Sequence, residues 1–170
     1  YDVSILLAQK CFSTNFSMNY TNDKGNQLIF NGYYKELKDI ISYDLWDVRM
    51  IYSGINDAIG YIYGFDFNYH LKFKEYAKGW VSYNYLVAKE NLTTDNEGWV
   101  PRPSDQRHTI GMMLEDRMKA YKGSKIFIRF VYNSGTRYTS YFIQTDEHGN
   151  QQVISGKRNA LKVKSYSRFD

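Results

Sequence analysis

The segment YIYGFDFNYHLKF (61–73) constrains the fold more than any other part of the chain. Its odd positions are all aromatic or leucine, whereas the even positions after Ile62 are glycine, polar or charged. Alternation with a period of two places these sets of side chains on opposite faces of a strand, and a helix would need a period of 3.6 residues. Such a strand would be about 43 Å long, whereas globular strands usually have about five or six residues.

The same alternation recurs in four further segments, and Trp80, Leu86 and Met113 are its exceptions. The four segments are 12–20, 79–87, 107–115 and 125–132. The 17 tyrosines and 10 phenylalanines suit strands, since wide rings lie well on a pleated surface. We therefore expect an all-β chain of about seven to nine antiparallel strands.

Short and long connections alternate along the chain. The predicted hairpins join 11–21 to 27–35 through NDKGN, 57–73 to 76–90 through Lys74-Glu75, and 106–120 to 124–133 through YKG. The long links are 36–56, 91–105 and 134–161. Short turns on one side and long loops on the other are typical of outer-membrane β-barrels.

A bilayer explains why one strand face needs so many apolar side chains. A strand of this length, tilted by about 45°, crosses the roughly 30 Å hydrocarbon core. The other face, with Asp66, Asn68, His70 and Lys72, would line a wet lumen. Backbone groups inside lipid must pair, so the sheet must close. The prediction is an all-β, antiparallel, transmembrane β-barrel.

Six segments, taken in order, resemble the later barrel strands of TonB-dependent outer-membrane receptors of the Bacteroidetes type. They are NGYYKELKDIISYD (31–44), AIGYIYGFDF (58–67), GWVSYNYLVAKENL (79–92), WVPRPSDQRHTI (99–110), VYNSGTRYT (131–139) and SYSRFD (165–170). The resemblance covers nearly all of the chain from about Asn31 onward. It is carried by pieces such as "YGxD", "DQRH" and "SGxxYT".

This resemblance implies a barrel of about 22 strands, closed inside by a plug domain. Residues 1–170 would then form a partial barrel domain, without the plug and the last strands. It implies uptake of a small nutrient such as a ferric chelate, cobalamin or a glycan, energised by the TonB system through the plug. The expected location is the bacterial outer membrane, with its lipid bilayer and a surface lipoprotein as further partners.

Candidate ligand contacts come from the predicted extracellular loops. Trp99, Arg102 and Tyr138 lie in or beside them, and aromatic rings and guanidinium groups capture ligands by stacking and bidentate contacts. Asp105 and Arg107 are expected to form lumen or rim hydrogen bonds at the start of the predicted strand 106–120, on its extracellular side. No second histidine or cysteine stands at metal-ligand spacing there, so we predict no metal and no cofactor.

Two other functions remain open at this point. A complete small outer-membrane barrel, acting as an adhesin or structural protein, would show the same alternation. A soluble nucleic-acid-binding protein is less supported, because the net charge of +4 comes from scattered residues. YIYGFDF (61–67) lacks the basic residue and glycine that open an aromatic RNA-binding strand. No catalytic set is present in the sequence, so we predict no enzymatic activity.

Overall fold

The structure, a computed structural model, describes residues 6–46, 49–73, 77–93, 95–117 and 124–170. The fold is all-β, and strands make up 68% of it. Among the described residues, none belongs to a helix of the length and apolar character that crossing a membrane requires. The predicted all-β class is therefore confirmed.

The described residues form fourteen strands. In chain order they are β1 (Lys10–Thr21), β2 (Gln27–Ile40), β3 (Tyr43–Trp46), β4 (Arg49–Tyr52), β5 (Ala58–Phe73), β6 (Ala77–Leu92), β7 (Val100–Pro101), β8 (His108–Arg117), β9 (Lys125–Asn133), β10 (Arg137–Tyr138), β11 (Tyr141–Thr145), β12 (Gln151–Ser155), β13 (Leu161–Lys162) and β14 (Tyr166–Phe169). The longest, β5 and β6, have 16 residues each.

One antiparallel sheet contains the long strands in the order β1-β2-β5-β6-β8-β9-β14, and β7 adds to β6. Each strand pairs with the next long strand of the chain. The sheet is open, because β1 and β14 do not pair with each other in the described part of the chain. The antiparallel sheet is thus established, and its closure into a barrel stays a prediction.

The predicted hairpin pairings are confirmed, and the strand ends that the three short connections join lie at one end of the sheet, the turn end. In the NDKGN turn, Asn22 Oδ1 accepts hydrogen bonds from the backbone N–H groups of Lys24 and Asn26, both at 3.0 Å. Gly25 adopts φ +77°, which a residue with a Cβ rarely adopts. The predicted turns at 74–75 and 121–123 lie outside the described residues.

Strand register brings the alternating apolar side chains onto one face of the sheet, the apolar face. They are Phe12, Phe16, Met18 and Tyr20 on β1; Leu28, Phe30 and Tyr34 on β2; Tyr61, Tyr63, Phe65, Phe67, Tyr69, Leu71 and Phe73 on β5; Val81, Tyr83, Tyr85 and Val87 on β6; Ile110, Met112 and Leu114 on β8; Ile126, Ile128, Phe130 and Tyr132 on β9; and Phe169 on β14. The polar ring of His108 on β8 shares this face and forms a hydrogen bond with the Tyr83 hydroxyl. Charged residues occur only at its two margins, including Glu36 and Lys89 at one end and Asp116 at the other.

The exceptions to the alternation lie on the opposite, polar face, where large side chains cover glycines. A Cβ on Gly111 would approach the Trp80 ring to 3.0 Å, and one on Gly64 would approach the Tyr33 ring to the same distance. Trp80 therefore lies over the space that Gly111 leaves open. A wide side chain on the polar face is here a packing device and does not break the strand pattern.

The long links at the other end, the loop end, contain small two-stranded ribbons that the sequence did not predict. β3 pairs with β4, β10 with β13, and β11 with β12. These strands have two to five residues, which is too few for an alternation with a period of two to be recognised in the sequence. A small core lies beneath them, formed by Ile40, Ala58 and Leu92 with Leu37 packed against it.

Candidate functional site

A buried carboxylate at the end of β6 organises the loop end. Glu90 is 0% exposed. The Tyr43 hydroxyl donates to its Oε1 at 2.5 Å, and Arg158 Nη1 donates to the same oxygen at 2.6 Å. Arg102 Nε lies 3.0 Å from Oε2 as an ion pair whose geometry is not that of a hydrogen bond. Two guanidinium groups thus compensate a charge that could not be buried alone.

Arg158 connects this carboxylate to a second acidic segment. Its Nε donates to Asp95 Oδ2 at 2.5 Å, and its backbone N–H donates to both oxygens of Glu97, at 3.1 and 3.0 Å. Its Nη2 is buried without a hydrogen-bond partner in the described part of the chain. We call Tyr43, Glu90, Asp95, Arg102 and Arg158 the ionic cluster. It ties three long links to the end of β6.

Burial also changes the acidity of the Tyr43 hydroxyl. Removal from water raises the pKa of this phenol, and the hydrogen bond to Glu90 raises it further. The phenol therefore stays protonated and remains a donor to Glu90 well into the alkaline range. The adjacent guanidinium groups of Arg158 and Arg102 oppose the increase without reversing it.

Asp105 forms a second buried junction. Its Oδ1 accepts the backbone N–H of Ala88 at 2.9 Å, and its Oδ2 accepts Arg107 Nε at 2.9 Å and Arg137 Nε at 3.4 Å. Burial alone would lower the pKa of Arg107, but the hydrogen bond and charge of Asp105 raise it overall. As predicted, Asp105 and Arg107 make hydrogen bonds near the start of a strand. The strand begins at His108, two residues after the predicted start at 106.

A cavity of about 350 Å³ opens beside the ionic cluster. The described lining residues provide three carboxylates, one guanidinium group, two tyrosines, two aliphatic side chains, two hydroxyl-bearing residues and one glycine. The lining residues are Tyr43, Asp44, Leu92, Asp95, Glu97, Thr139, Tyr141, Val153, Ser155, Gly156 and Arg158. Asp44 is exposed and makes no hydrogen bond or ion pair with another residue that the structure describes. It is therefore the carboxylate of this cavity most available to a ligand.

The structure does not bring the three predicted ligand-contact residues, Trp99, Arg102 and Tyr138, into one site. Trp99 packs on Tyr61, with ring centroids 4.9 Å apart, at the margin of the apolar face. Arg102 is held by Glu90, and Tyr138 pairs with Leu161 in the ribbon of β10 and β13. No two of these three residues line the same cavity among those described around the loop end. That any of them contacts ligand stays a prediction.

The predicted lumen residues do share the polar face. Register aligns Asp66 with Asn84, Asn68 with Ser82, His70 with Trp80, and Lys72 with Lys78. The Asn84 amide donates a hydrogen bond to Asp66. The described residues contain no group of three side chains suited to a metal ion. The polar face therefore presents hydrogen-bonding groups and charges over the length of the strands.

Sequence reasoning missed Glu90, Asp95, Glu97 and Arg158. Glu90 lies in a predicted strand, where alternation indicates only which face it occupies. Arg158 is 68 positions away in a link with no strand pattern. Only the pairing of these charges in space shows that they form one cluster. A signal was present in the density of acidic residues around 90–97, but it equally fits an exposed loop.

Comparisons with known proteins provide no relative. No family model matches the chain, no curated protein matches it, and no solved structure resembles it significantly. Function must therefore be argued from the two faces of the sheet and from the loop end.

Proposed function

We propose that this chain forms part of the wall and the external loops of a transmembrane β-barrel in a bacterial outer membrane. The observation that carries the proposal is the apolar face. It extends over β1, β2, β5, β6, β8, β9 and β14, with charges only at its margins. Large side chains on this face remain exposed, including Phe16 at 62% and Phe169 at 69%.

Lipid fits this face better than a protein partner would. The face is a continuous band, and tyrosines at the loop-end margin, such as Tyr34, Tyr61 and Tyr63, suit a headgroup interface. Phe30, Phe65 and Phe67 lie deeper. A strand of 16 residues spans about 53 Å, so a tilted strand exceeds the roughly 30 Å hydrocarbon core. The polar face would then border a wet interior.

Within this class we propose a TonB-dependent receptor for nutrient uptake. The sequence resemblance supports it, and so does the sorting of connections between the turn end and the loop end. The chain would provide wall and loops, and the moving plug would belong to another part of the protein, which would contact the TonB system. The substrate would be a small nutrient, and a surface lipoprotein would be a further partner. We propose no catalytic role.

Membrane fractionation of the natural protein tests the barrel. We expect the protein in outer-membrane pellets, released by detergent and not by high salt or alkaline washing. Recovery in the soluble fraction would contradict the proposal, and RNA binding with a steep salt dependence would favour the nucleic-acid alternative.

The mass of the natural protein separates the receptor from a small barrel. A mass several times the 20.1 kDa of this chain fits a large receptor barrel, whereas a membrane protein near 20.1 kDa would be an adhesin or structural barrel. For uptake, strains lacking this protein and strains lacking TonB should lose growth on the same nutrient source. Loss in only one of them would contradict TonB-dependent transport.

A further inference from the structure

The cavity beside the ionic cluster has an excess of negative charge. Among the lining residues that the structure describes, Asp44, Asp95 and Glu97 are acidic and only Arg158 is cationic, which leaves a net charge of −2. Behind the lining, Glu90 and Arg102 balance each other at 3.0 Å. The excess therefore belongs to the cavity itself. An anionic ligand would be repelled, and a cationic one attracted.

The free groups of the cavity define what a ligand must offer. Asp44 has no partner in the described structure and suits an ammonium group. Arg158 adds no free positive charge for an anion, because Glu90 and Asp95 already compensate it. Thr139 and Ser155 bring hydroxyl groups to the same lining, and hydroxyl groups of a ligand can pair with them without adding negative charge beside the carboxylates. The cavity therefore suits a small molecule that carries both an ammonium group and hydroxyl groups.

The volume of the cavity limits the size of the ligand. Ligand pockets in proteins usually have volumes of about 300–1,000 Å³, and this cavity, at about 350 Å³, lies at the lower limit. One six-membered ring with its substituents fits that volume, and a corrin ring system is too large for it.

We propose that this cavity binds a hydroxylated primary amine of the size of a single sugar ring, such as an amino sugar. The inference rests on the proposed function in one respect, since it names the substrate class that the receptor would capture at its external end. The binding site itself is argued from the cavity alone.

Calorimetric titration of the natural protein with matched sugars tests this inference. The probes are glucosamine, glucose and glucuronic acid, which share one ring and differ in charge. At about 20 mM salt we expect glucosamine to bind about fivefold to tenfold more tightly than glucose. Glucuronic acid should give no heat of binding. The preference for the amine should decrease at about 500 mM salt, because the charges are screened.

Two variants assign the preference to the cavity. Asp44→Asn should lower the affinity for glucosamine about fivefold and leave that for glucose unchanged, because it removes a charge without changing shape. Asp23→Asn, an exposed carboxylate in the β1–β2 turn at the opposite end of the sheet, is the matched control and should change nothing.

The inference fails if glucosamine does not bind, if glucose binds equally well, or if Asp44→Asn behaves like the control. Fractionation separates this outcome from a failure of the proposed function. If the protein is found in the outer membrane but does not bind glucosamine, only the proposed ligand class is wrong. If the protein is soluble but prefers glucosamine as expected, only the proposed membrane barrel is wrong.

Discussion

The strand body and the loop end of the molecule contrast in what they bury. In the strand body, an apolar residue such as Phe16 remains 62% exposed, whereas at the loop end the carboxylate of Glu90 is 0% exposed. The usual preference, with phenylalanine inside and glutamate outside, is reversed. The chain itself provides the partners of Glu90, whereas the residues that the structure describes leave the apolar face uncovered.

This contrast shows that the two regions depend on their surroundings differently. Substitutions at the loop end should destabilise the protein in any solvent, because the lost partners are residues of the chain. Substitutions on the apolar face should matter mainly where lipid or detergent covers it. The following predictions test that difference.

The largest effect is expected for Glu90→Ala. It leaves the partly buried guanidinium groups of Arg102 and Arg158 without their shared carboxylate, which should lower the free energy of unfolding by about 3–5 kcal/mol. Chemical denaturation in detergent micelles measures this loss. Glu36→Ala is the control, since that side chain is 45% exposed and pairs with Lys38 at the surface. Glu36→Ala should lower the free energy of unfolding by at most about 1 kcal/mol. Similar losses for both variants would show that the ionic cluster contributes no more to stability than a surface ion pair.

The next effect separates the two faces of one strand. Phe67→Arg places a charge in the middle of the apolar face and should cost about 2–4 kcal/mol in lipid. Asn68→Arg, one residue further on, places the same charge on the polar face and should cost much less. Unfolding of both variants in lipid vesicles provides the comparison. Equal stability of the two would exclude lipid as the cover of the apolar face.

A smaller loss is expected for Gly111→Ala. The added methyl group would lie 2.9 Å from Ser82 Oγ and 3.0 Å from the Trp80 ring, and such overpacking costs about 1–3 kcal/mol. A shift in tryptophan emission should accompany the loss, because the Trp80 ring must move. Gly32→Ala is the control, because its Cβ would meet only the Phe30 ring at 3.7 Å. Unchanged emission in Gly111→Ala would mean that Trp80 does not pack on this glycine.

The smallest effect is expected for Tyr43→Phe, since Arg158 still donates to Glu90 after the hydroxyl is lost. We expect a loss of about 1.5 kcal/mol at neutral pH. Because folding raises the pKa of Tyr43, its contribution is fully present below the unfolded pKa of about 10 and decreases as the pH rises toward the higher folded pKa. Stability measured from neutral to alkaline pH should therefore decrease more steeply in the wild type than in the variant. Parallel curves would contradict the raised pKa.

The long strands were predictable because their signal is local and repeated. From Tyr63 to Leu71 each large apolar residue is followed by a small, polar or charged one, and this pattern alone identifies a strand and its two faces. Hairpin pairing followed from short polar connections such as NDKGN. The bounds of β5 and β6 accordingly lie within two residues of the predicted ones.

The loop end was not predictable, and the reason is physical. Strands such as β10 and β13 have two residues each, and their pairing depends on contacts between distant segments. The burial of Glu90 depends on Arg102 and Arg158, whose proximity no periodicity encodes. Trp99 and Arg102 were correctly placed in the loop region, but their packing partners, Tyr61 and Glu90, could only be found in three dimensions.

The pairing of each long strand with the next one along the chain has a consequence for the order of assembly. Hairpins such as β1–β2 close short loops, which costs little chain entropy and allows the sheet to grow one strand at a time. The contact between Glu90 and Arg158 spans 68 positions, so forming it closes a much longer loop and costs more chain entropy than a hairpin does. The ionic cluster would thus form late in folding. A chain that stopped before this step would have complete long strands and an unformed loop end.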